Sequence, residues 1–310
     1  MTTNKTQFFE VSINVPFGVI AGKWYGSKDV RPILFIHGFE DNCGSFDKLI
    51  PLLPSHGSYL AIDLPGCGLS SRIPPGMLNN VSDWVLVILW IMKAYRWPTV
   101  SLAGHSMGAM ACYCFIGFFP AKVDLFIAID ALHLSHFEQI LDQQAYFITR
   151  SMKADGENLS SVPATEYTYE QLIEKVHNLP SCTVPKELCH CLLQRNISKS
   201  QTLPEHYYFH YDKRIKYPFF MGWSMEATAL TAKRIKCPVL LIFATDSLFY
   251  GDREEVARTV EQIKKNNHTK LVHITGGHYI HLTDADQVAA TIEMFLNEIE
   301  YYNKCVQSKI

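Results

Sequence analysis

No part of this chain restricts its fold more than residues 99–118. Thr99-Val-Ser-Leu-Ala103 is a short apolar run, and Met107 to Phe118 follows with a helical pattern. Between them stands Gly104-His105-Ser106-Met107-Gly108. A short apolar run bounded by glycine reads as a strand buried on both faces. A strand that becomes a helix within so few residues needs a strained turn, and small flanking residues let the backbone close it. The serine of such a G-x-S-x-G turn projects above the sheet, beside the positive end of the helix. Ser106 is therefore the candidate nucleophile. Pro98 to Ala121 carries no formal charge, but its glycines, His105-Ser106 and Pro120 fit a buried strand-turn-helix better than a membrane span.

The rest of the chain repeats the alternation. Strands are expected at Phe8 to Val15, Val19 to Tyr25, Pro32 to Ile36, Tyr59 to Ile62, Val123 to Ile129, Pro238 to Phe243 and Thr269 to Ile274. Helical patterns lie at Val81 to Met92, near Arg253 to Lys265, and at Ala285 to Tyr301. Strands alternating with helices predict a mostly parallel central sheet covered on both faces, an α/β protein. Between about residues 133 and 229 the pattern changes to short amphipathic segments with no clear strand. The expected organisation is a core from 1–132 and 230–310, with 133–229 inserted after the sixth strand as a helical cap.

Two further segments carry chemistry. Ile36-His37-Gly38-Phe39 ends a strand upstream of the nucleophile, where a loop can offer backbone donors. The N–H groups of Phe39 and Met107 are the expected oxyanion hole, stabilising charge on a carbonyl oxygen under attack. His37 is expected to hold that loop rather than react. After the last strand, Gly276-Gly277-His278 places a histidine C-terminal to both other parts, in the chain order serine, acid, histidine. His278 would take the proton of Ser106 and return it to the leaving group. His281 competes for the role, but the two glycines favour delivery of His278.

Ile36-His-Gly-Phe39, Asp63-Leu-Pro-Gly-Cys-Gly-Leu-Ser70, Gly104-His-Ser-Met-Gly108 and Gly277-His278 resemble the α/β-hydrolase fold family. His37-Gly-Phe-Glu-Asp-Asn42, Ser45-Phe46-Asp47 and Leu49-Ile-Pro-Leu-Leu-Pro54 resemble its serine hydrolase-like branch, related to epoxide hydrolases. The resemblance covers about residues 10–132 and 230–300 and, within the insert, Leu192-Leu-Gln-Arg195. It implies an eight-stranded sheet, a helical cap and no cofactor. Epoxide hydrolases use an aspartate where this chain has Ser106, which points to acyl transfer from an ester. The family usually places its acid after the strand that follows the cap, in a G-x-x-D pattern. Here that stretch reads Ala244-Thr245-Asp246-Ser247, so Asp246 falls one residue early. Some relatives keep the acid where Asp130 stands. Both Asp130 and Asp246 remain open as the residue that orients His278. The family role of Asp63 is loop structure.

The insert is aromatic, with Phe137, Tyr146, Phe147, Tyr167, Tyr169, Tyr207, Tyr208, Phe209, Tyr211, Tyr217, Phe219, Phe220 and Trp223. These side chains either form its own small core or line an apolar pocket over Ser106. No basic cluster suggests a phosphate or coenzyme A handle. The expected substrate is a carboxylester or thioester of a lipophilic small molecule. The alternative is a hydrolase-fold ligand receptor or weakly active pseudo-enzyme.

Lys plus Arg is 28 and Asp plus Glu is 30, a net charge of -2, which gives no electrostatic reason to expect nucleic acid or an anionic membrane as partner. At 48% hydrophobic and 19% charged residues, the chain is not of a disordered composition. Its nine cysteines are scattered and read as reduced thiols, Cys112 and Cys114 as packing residues; Cys189-His190-Cys191 has no second ligand pair at zinc spacing. Asn4, Asn80, Asn158, Asn196 and Asn267 open glycosylation sequons, but no signal-peptide pattern precedes them. The cytosol is the default address. Ser308-Lys309-Ile310 differs from the peroxisomal Ser-Lys-Leu signal by one aliphatic isomer, so partial recognition by the import receptor is expected as well.

Overall fold

The computed structural model describes residues 8–133, 141–160, 164–179, 182–219, 222–247, 253–265 and 268–301. Phe137, Phe220, Cys305, the sequons at Asn4 and Asn267 and the tripeptide Ser308-Lys309-Ile310 lie outside those residues.

The chain opens with an antiparallel hairpin, β1 (Phe8–Val15) and β2 (Gly18–Tyr25). Next come β3 (Ile33–Ile36), β4 (Tyr59–Ile62), α1 (Val81–Ala94), β5 (Val100–His105), α2 (Met107–Phe118) and β6 (Val123–Ile129). The insert holds α3 (Leu141–Leu159), β7 (Tyr167–Thr168), α4 (Tyr169–His177), β8 (Asn178–Leu179) and β9 (Cys182–Thr183). It continues through α5 (Cys189–Leu193), β10 (Ile197–Lys199) and β11 (His206–Phe209). α6 (Met225–Arg234) leads back into β12 (Val239–Ala244), α7 (Arg253–Lys264), β13 (Thr269–Ile274), α8 (Ile280–Thr283) and α9 (Ala285–Glu298).

Eight strands form one sheet in the order β1-β2-β4-β3-β5-β6-β12-β13, parallel from β4 onward. This is the mostly parallel sheet, flanked by helices, that the resemblance implied. The strands of its middle are buried on both faces, so they read as unbroken apolar runs; every residue of β3, β4, β5 and β12 is buried. One face packs against α1 and α2 through Ile88, Ile91, Tyr113 and Phe115. The other packs against α9, whose Val288, Ile292, Phe295 and Leu296 recur at helical spacing and are fully buried. Each such side chain contributes about 1.5–3 kcal/mol on leaving water.

The topology places the site. The chain runs from β3 outward to β4, then returns to lay β5 on the opposite edge of β3. Loops leaving the carboxyl ends of β3 and β5 diverge there and open a crevice, the usual ligand position of an open α/β sheet. Phe39 follows β3 and Ser106 follows β5.

Two sequence expectations are corrected. The insert is not free of strands: β10, β11 and β7 form a small antiparallel sheet, and β8 pairs with β9. These strands are two to four residues long and partly exposed, too short to show a period of two. The expected boundary at 229–230 falls inside α6, which packs against α2 and α7.

Buried polar links tie the insert to the core. Arg195 bonds Asp63 through Nε and Nη2, at 3.0 and 2.8 Å, and reaches Glu10 through Nη1 at 2.5 Å. Arg214 grips Asp212 and donates to the carbonyls of Ile73, Pro74 and Met77. Asn42 donates to Leu192 O at 2.8 Å. Among the described residues no helix is long and apolar enough to cross a membrane. Cys112 and Cys114 are buried in the main core beside α1.

Candidate active site

Ser106 is the only residue between β5 and α2, and its backbone is held at φ 53°, ψ −124°. A side chain there is strained, and two glycines make the turn sterically feasible. A Cβ on Gly104 would stand 2.4 Å from the Ala109 nitrogen, where the helix folds back over the strand. A Cβ on Gly108 would stand 2.1 Å from the Ile36 carbonyl oxygen, because the first turn of α2 rides on the end of β3. Ser106 N donates to Ile129 O at 3.0 Å, which anchors the turn to β6.

His278 Nε2 lies 2.9 Å from Ser106 Oγ, and its Nδ1 lies 2.6 Å from Asp130 Oδ2. The three form one continuous relay, nearly closed to solvent: Ser106 is 7% exposed, His278 8% and Asp130 0%. Nδ1 faces a carboxylate and therefore carries the proton, which leaves Nε2 free to accept from the serine hydroxyl. Asp130 also sits at positive φ, 53°, immediately after β6. Strand β12 holds it there: Asp130 N donates to Ile242 O at 2.7 Å, and Oδ1 accepts from Ala244 N at 2.8 Å. The second candidate acid is placed elsewhere. Asp246 is exposed, with its N–H on Gly276 O and its carboxylate accepting from Thr245 Oγ1. The structure thus brings together Ser106, His278 and Asp130, and does not bring Asp246 to them.

The loop after β3 lies directly against the nucleophile. A Cβ on Gly38 would stand 3.1 Å from Ser106 Cβ, so the loop that carries Phe39 passes close to the nucleophile turn. His37 fixes this loop: Nδ1–H donates to Gly38 O at 2.8 Å, and Nε2 accepts from Leu64 N at 3.0 Å. Complete burial lowers its pKa to about 4, so the ring stays neutral and keeps this donor-acceptor pairing. Asp63 is likewise structural, accepting from Cys43 N and Leu69 N as well as from Arg195. Burial pushes its carboxyl up, but Arg195 and these bonds outweigh it and hold the pKa below the ordinary value.

Behind His278 lies a buried polar cluster that the sequence did not announce. His105 Nε2–H donates to the His278 carbonyl at 2.9 Å. Its Nδ1 is 3.8 Å from Asp41 Oδ2, and neither atom has a hydrogen-bond partner. Tyr279 OH donates to Asp41 Oδ1 at 3.0 Å. Burial raises the Asp41 pKa to about 8, while burial and the neighbouring imidazoles push His105 well below its ordinary value. The pair is therefore a neutral acid facing a neutral ring at pH 7. His281, the competing histidine, belongs to this cluster: its ring lies 3.9 Å from that of His105 and 5.2 Å from that of Phe46. Burial lowers its pKa to about 3. The available signal was positional, since His105 is the variable residue of the elbow and Tyr279 follows His278.

The insert corrects another expectation. Arg150, Lys153, Lys213 and Lys216 converge on one cavity of about 250 Å³, walled by aromatic residues including Tyr211 and Tyr217. Other aromatics of the insert pack elsewhere: Tyr169 meets Tyr207, and Trp223 lies against Tyr113 and Phe118 of α2. No basic cluster was expected because the four residues fall in two sequence stretches some sixty residues apart.

Comparison with known proteins agrees with this architecture. A family model described as alpha/beta hydrolase fold matches residues 31–285. A probable serine hydrolase of Drosophila melanogaster is 33% identical over 294 residues, covering 93% of this chain and 88% of its own. Serine hydrolase-like protein 2 of Homo sapiens is 30% identical over 307 residues, covering 93% of each chain. Among solved structures, a hypothetical protein of Pseudomonas aeruginosa superposes with a TM-score of 0.77 at 23% identity, over 93% of this chain and 99% of that one. A thioesterase domain from the curacin biosynthetic pathway gives 0.71 at 20% identity, over 92% and 99%. At those identities the two structures speak for the fold alone.

Proposed function

The chain belongs to the α/β-hydrolase family, and from that premise we propose that it cleaves a carboxylester or thioester of a lipophilic small molecule through Ser106, His278 and Asp130. The observation that carries the proposal is the relay itself: Oγ to Nε2 at 2.9 Å, Nδ1 to carboxylate at 2.6 Å. Ser106 Oγ attacks the carbonyl carbon as its proton passes to His278 Nε2. The N–H groups of Phe39 and Met107 receive the oxyanion. Collapse of the tetrahedral intermediate breaks the ester or thioester bond, and the alcohol or thiol leaves with the proton from Nε2. Water then attacks the acyl-enzyme, gives its proton to Nε2, and the carboxylic acid departs as that proton returns to Oγ. Asp130 holds the imidazole in the required tautomer and stabilises the imidazolium. The near-closed site strengthens these charge interactions relative to water.

The alternative, a ligand receptor or weakly active pseudo-enzyme on the same fold, drew its motive from the ambiguous acid. The aspartate at hydrogen-bond distance from His278 supports the enzyme reading. Labelling with a fluorophosphonate tests the proposal without knowledge of the substrate. Wild type is expected to be modified and Ser106→Ala not. An unlabelled wild type of native fold favours the receptor reading, and equal labelling of both proteins rules out Ser106.

A further inference from the structure

We propose that the cavity of the insert binds an oxyanion of the substrate, a carboxylate or phosphate carried away from the scissile bond. This rests on the reading of Ser106 as an acyl-transfer nucleophile and adds a substrate class to it. Among the residues lining the cavity, four are cationic and one, Glu157, is anionic. Glu157 is already shared, 3.0 Å from Lys213 Nζ and 4.0 Å from Lys153 Nζ. Lys216 lies 3.9 Å from Glu40 and over the ring of Tyr211. Counting Glu40, the cations of this concave site exceed its anions by two among the described residues.

A second observation is how the arginine of this cavity is held. The Arg150 guanidinium lies over the rings of Tyr146 and Tyr217, at 5.6 and 5.8 Å, a cation–π arrangement that fixes its plane. It lines the cavity together with the three lysines. A preorganised guanidinium with lysines around it suits a carboxylate or phosphate.

One wall of the cavity approaches the loop after β3. Lys216 reaches Glu40, and Glu40 follows Phe39, the donor assigned to the oxyanion hole. Tyr211, in the cavity wall, packs against the same core cluster as Phe39. A substrate whose carbonyl sits at Ser106 and whose chain passes that loop delivers its far end to Arg150, Lys213 and Lys216. Apolar chain between two polar ends keeps the lipophilic expectation for the middle of the molecule.

Two substrate pairs distinguish where the anion is carried. p-Nitrophenyl hemiglutarate against p-nitrophenyl butyrate places a carboxylate on the acyl group. Butyryl-coenzyme A against butyryl-N-acetylcysteamine places phosphates on the leaving group. In at least one pair, wild type is expected to prefer the anionic member by about tenfold in kcat/KM, the scale of charge-assisted hydrogen bonds. That ratio should fall toward one in Arg150→Gln/Lys213→Gln and shrink as salt rises. Ratios near or below one in both pairs, or a ratio unmoved by the double substitution, overturn the inference while hydrolysis of the neutral esters leaves the esterase reading intact. If no ester is turned over, calorimetry with glutarate and with inorganic pyrophosphate on wild type and the double variant decides the cavity alone. Binding lost on substitution supports the site, and no binding to wild type overturns it.

Discussion

Replacing Asp41 by asparagine isolates the carboxyl buried behind the triad. Asp41 is 1% exposed, and its pKa is raised from 3.8 to about 8, first by burial and further by Glu40, against the opposing bond from Tyr279. In the unfolded chain the same carboxyl ionises near pH 4. Between those values the folded protein holds one more proton than the unfolded one, so this group makes stability fall as pH rises from about 4 to about 8. The slope is about 1.4 kcal/mol per pH unit inside the window, hence about 3 kcal/mol between pH 5 and pH 7. Asparagine reproduces the protonated acid without titrating: its carbonyl oxygen accepts from Tyr279 OH, and its amide faces the bare Nδ1 of His105. Urea denaturation of wild type and Asp41→Asn, followed by circular dichroism at pH 5, 6, 7 and 8, measures the difference. The variant should gain on wild type steadily with pH, by about 3 kcal/mol from pH 5 to pH 7. Parallel stability curves for the two proteins would refute a neutral Asp41.

Three further outcomes are expected. Asp130→Asn should cost on the order of 10⁴ in kcat, as loss of the orienting carboxylate does in a serine protease, while Asp246→Asn changes it little; equal effects in a p-nitrophenyl ester assay would contradict the assignment. Gly108→Ala forces a Cβ to 2.1 Å from the Ile36 carbonyl oxygen, a backbone atom, and should lower stability by roughly 1–3 kcal/mol, read as a drop in Tm. Arg195→Met leaves the fully buried Asp63 without its cation and should cost about 3–5 kcal/mol in chemical denaturation; a change below about 1 kcal/mol would mean that the pair does not hold the insert to the core.

The sheet was legible because its strands are buried on both faces. A run such as Ile33–Ile36 or Val239–Ala244 has no polar face to interrupt it, so it stands out from the text around it. Ser106 was legible for a different reason: the glycines that permit its backbone angles are themselves letters of the sequence. The acid was not. Asp130 and Asp246 each follow a strand in the written chain, and what separates them is a positive φ at Asp130 and the Ala244 amide of β12 that aims its carboxylate. Neither is visible in one dimension. The same holds for the cavity of the insert, where Arg150 and Lys153 on α3 meet Lys213 and Lys216 only through folding. The cluster of Asp41, His105, Tyr279 and His281 was hidden because each of its members neighbours a louder motif.

The position of Asp130 also sets how such a chain can change. Nucleophile and acid stand at the ends of β5 and β6, adjacent parallel strands in which His105 lies opposite Ile129. The single crossover β5-α2-β6 carries both, and it is complete before the insert begins. Recombination or design that exchanges the segment between β6 and α6 leaves the order of those strands untouched, provided that the ties from Asp63 and Asn42 to the insert are replaced. The insert is therefore a cassette: a lineage can rewrite the lining of its cavity without moving the strand ends that carry Ser106 and Asp130.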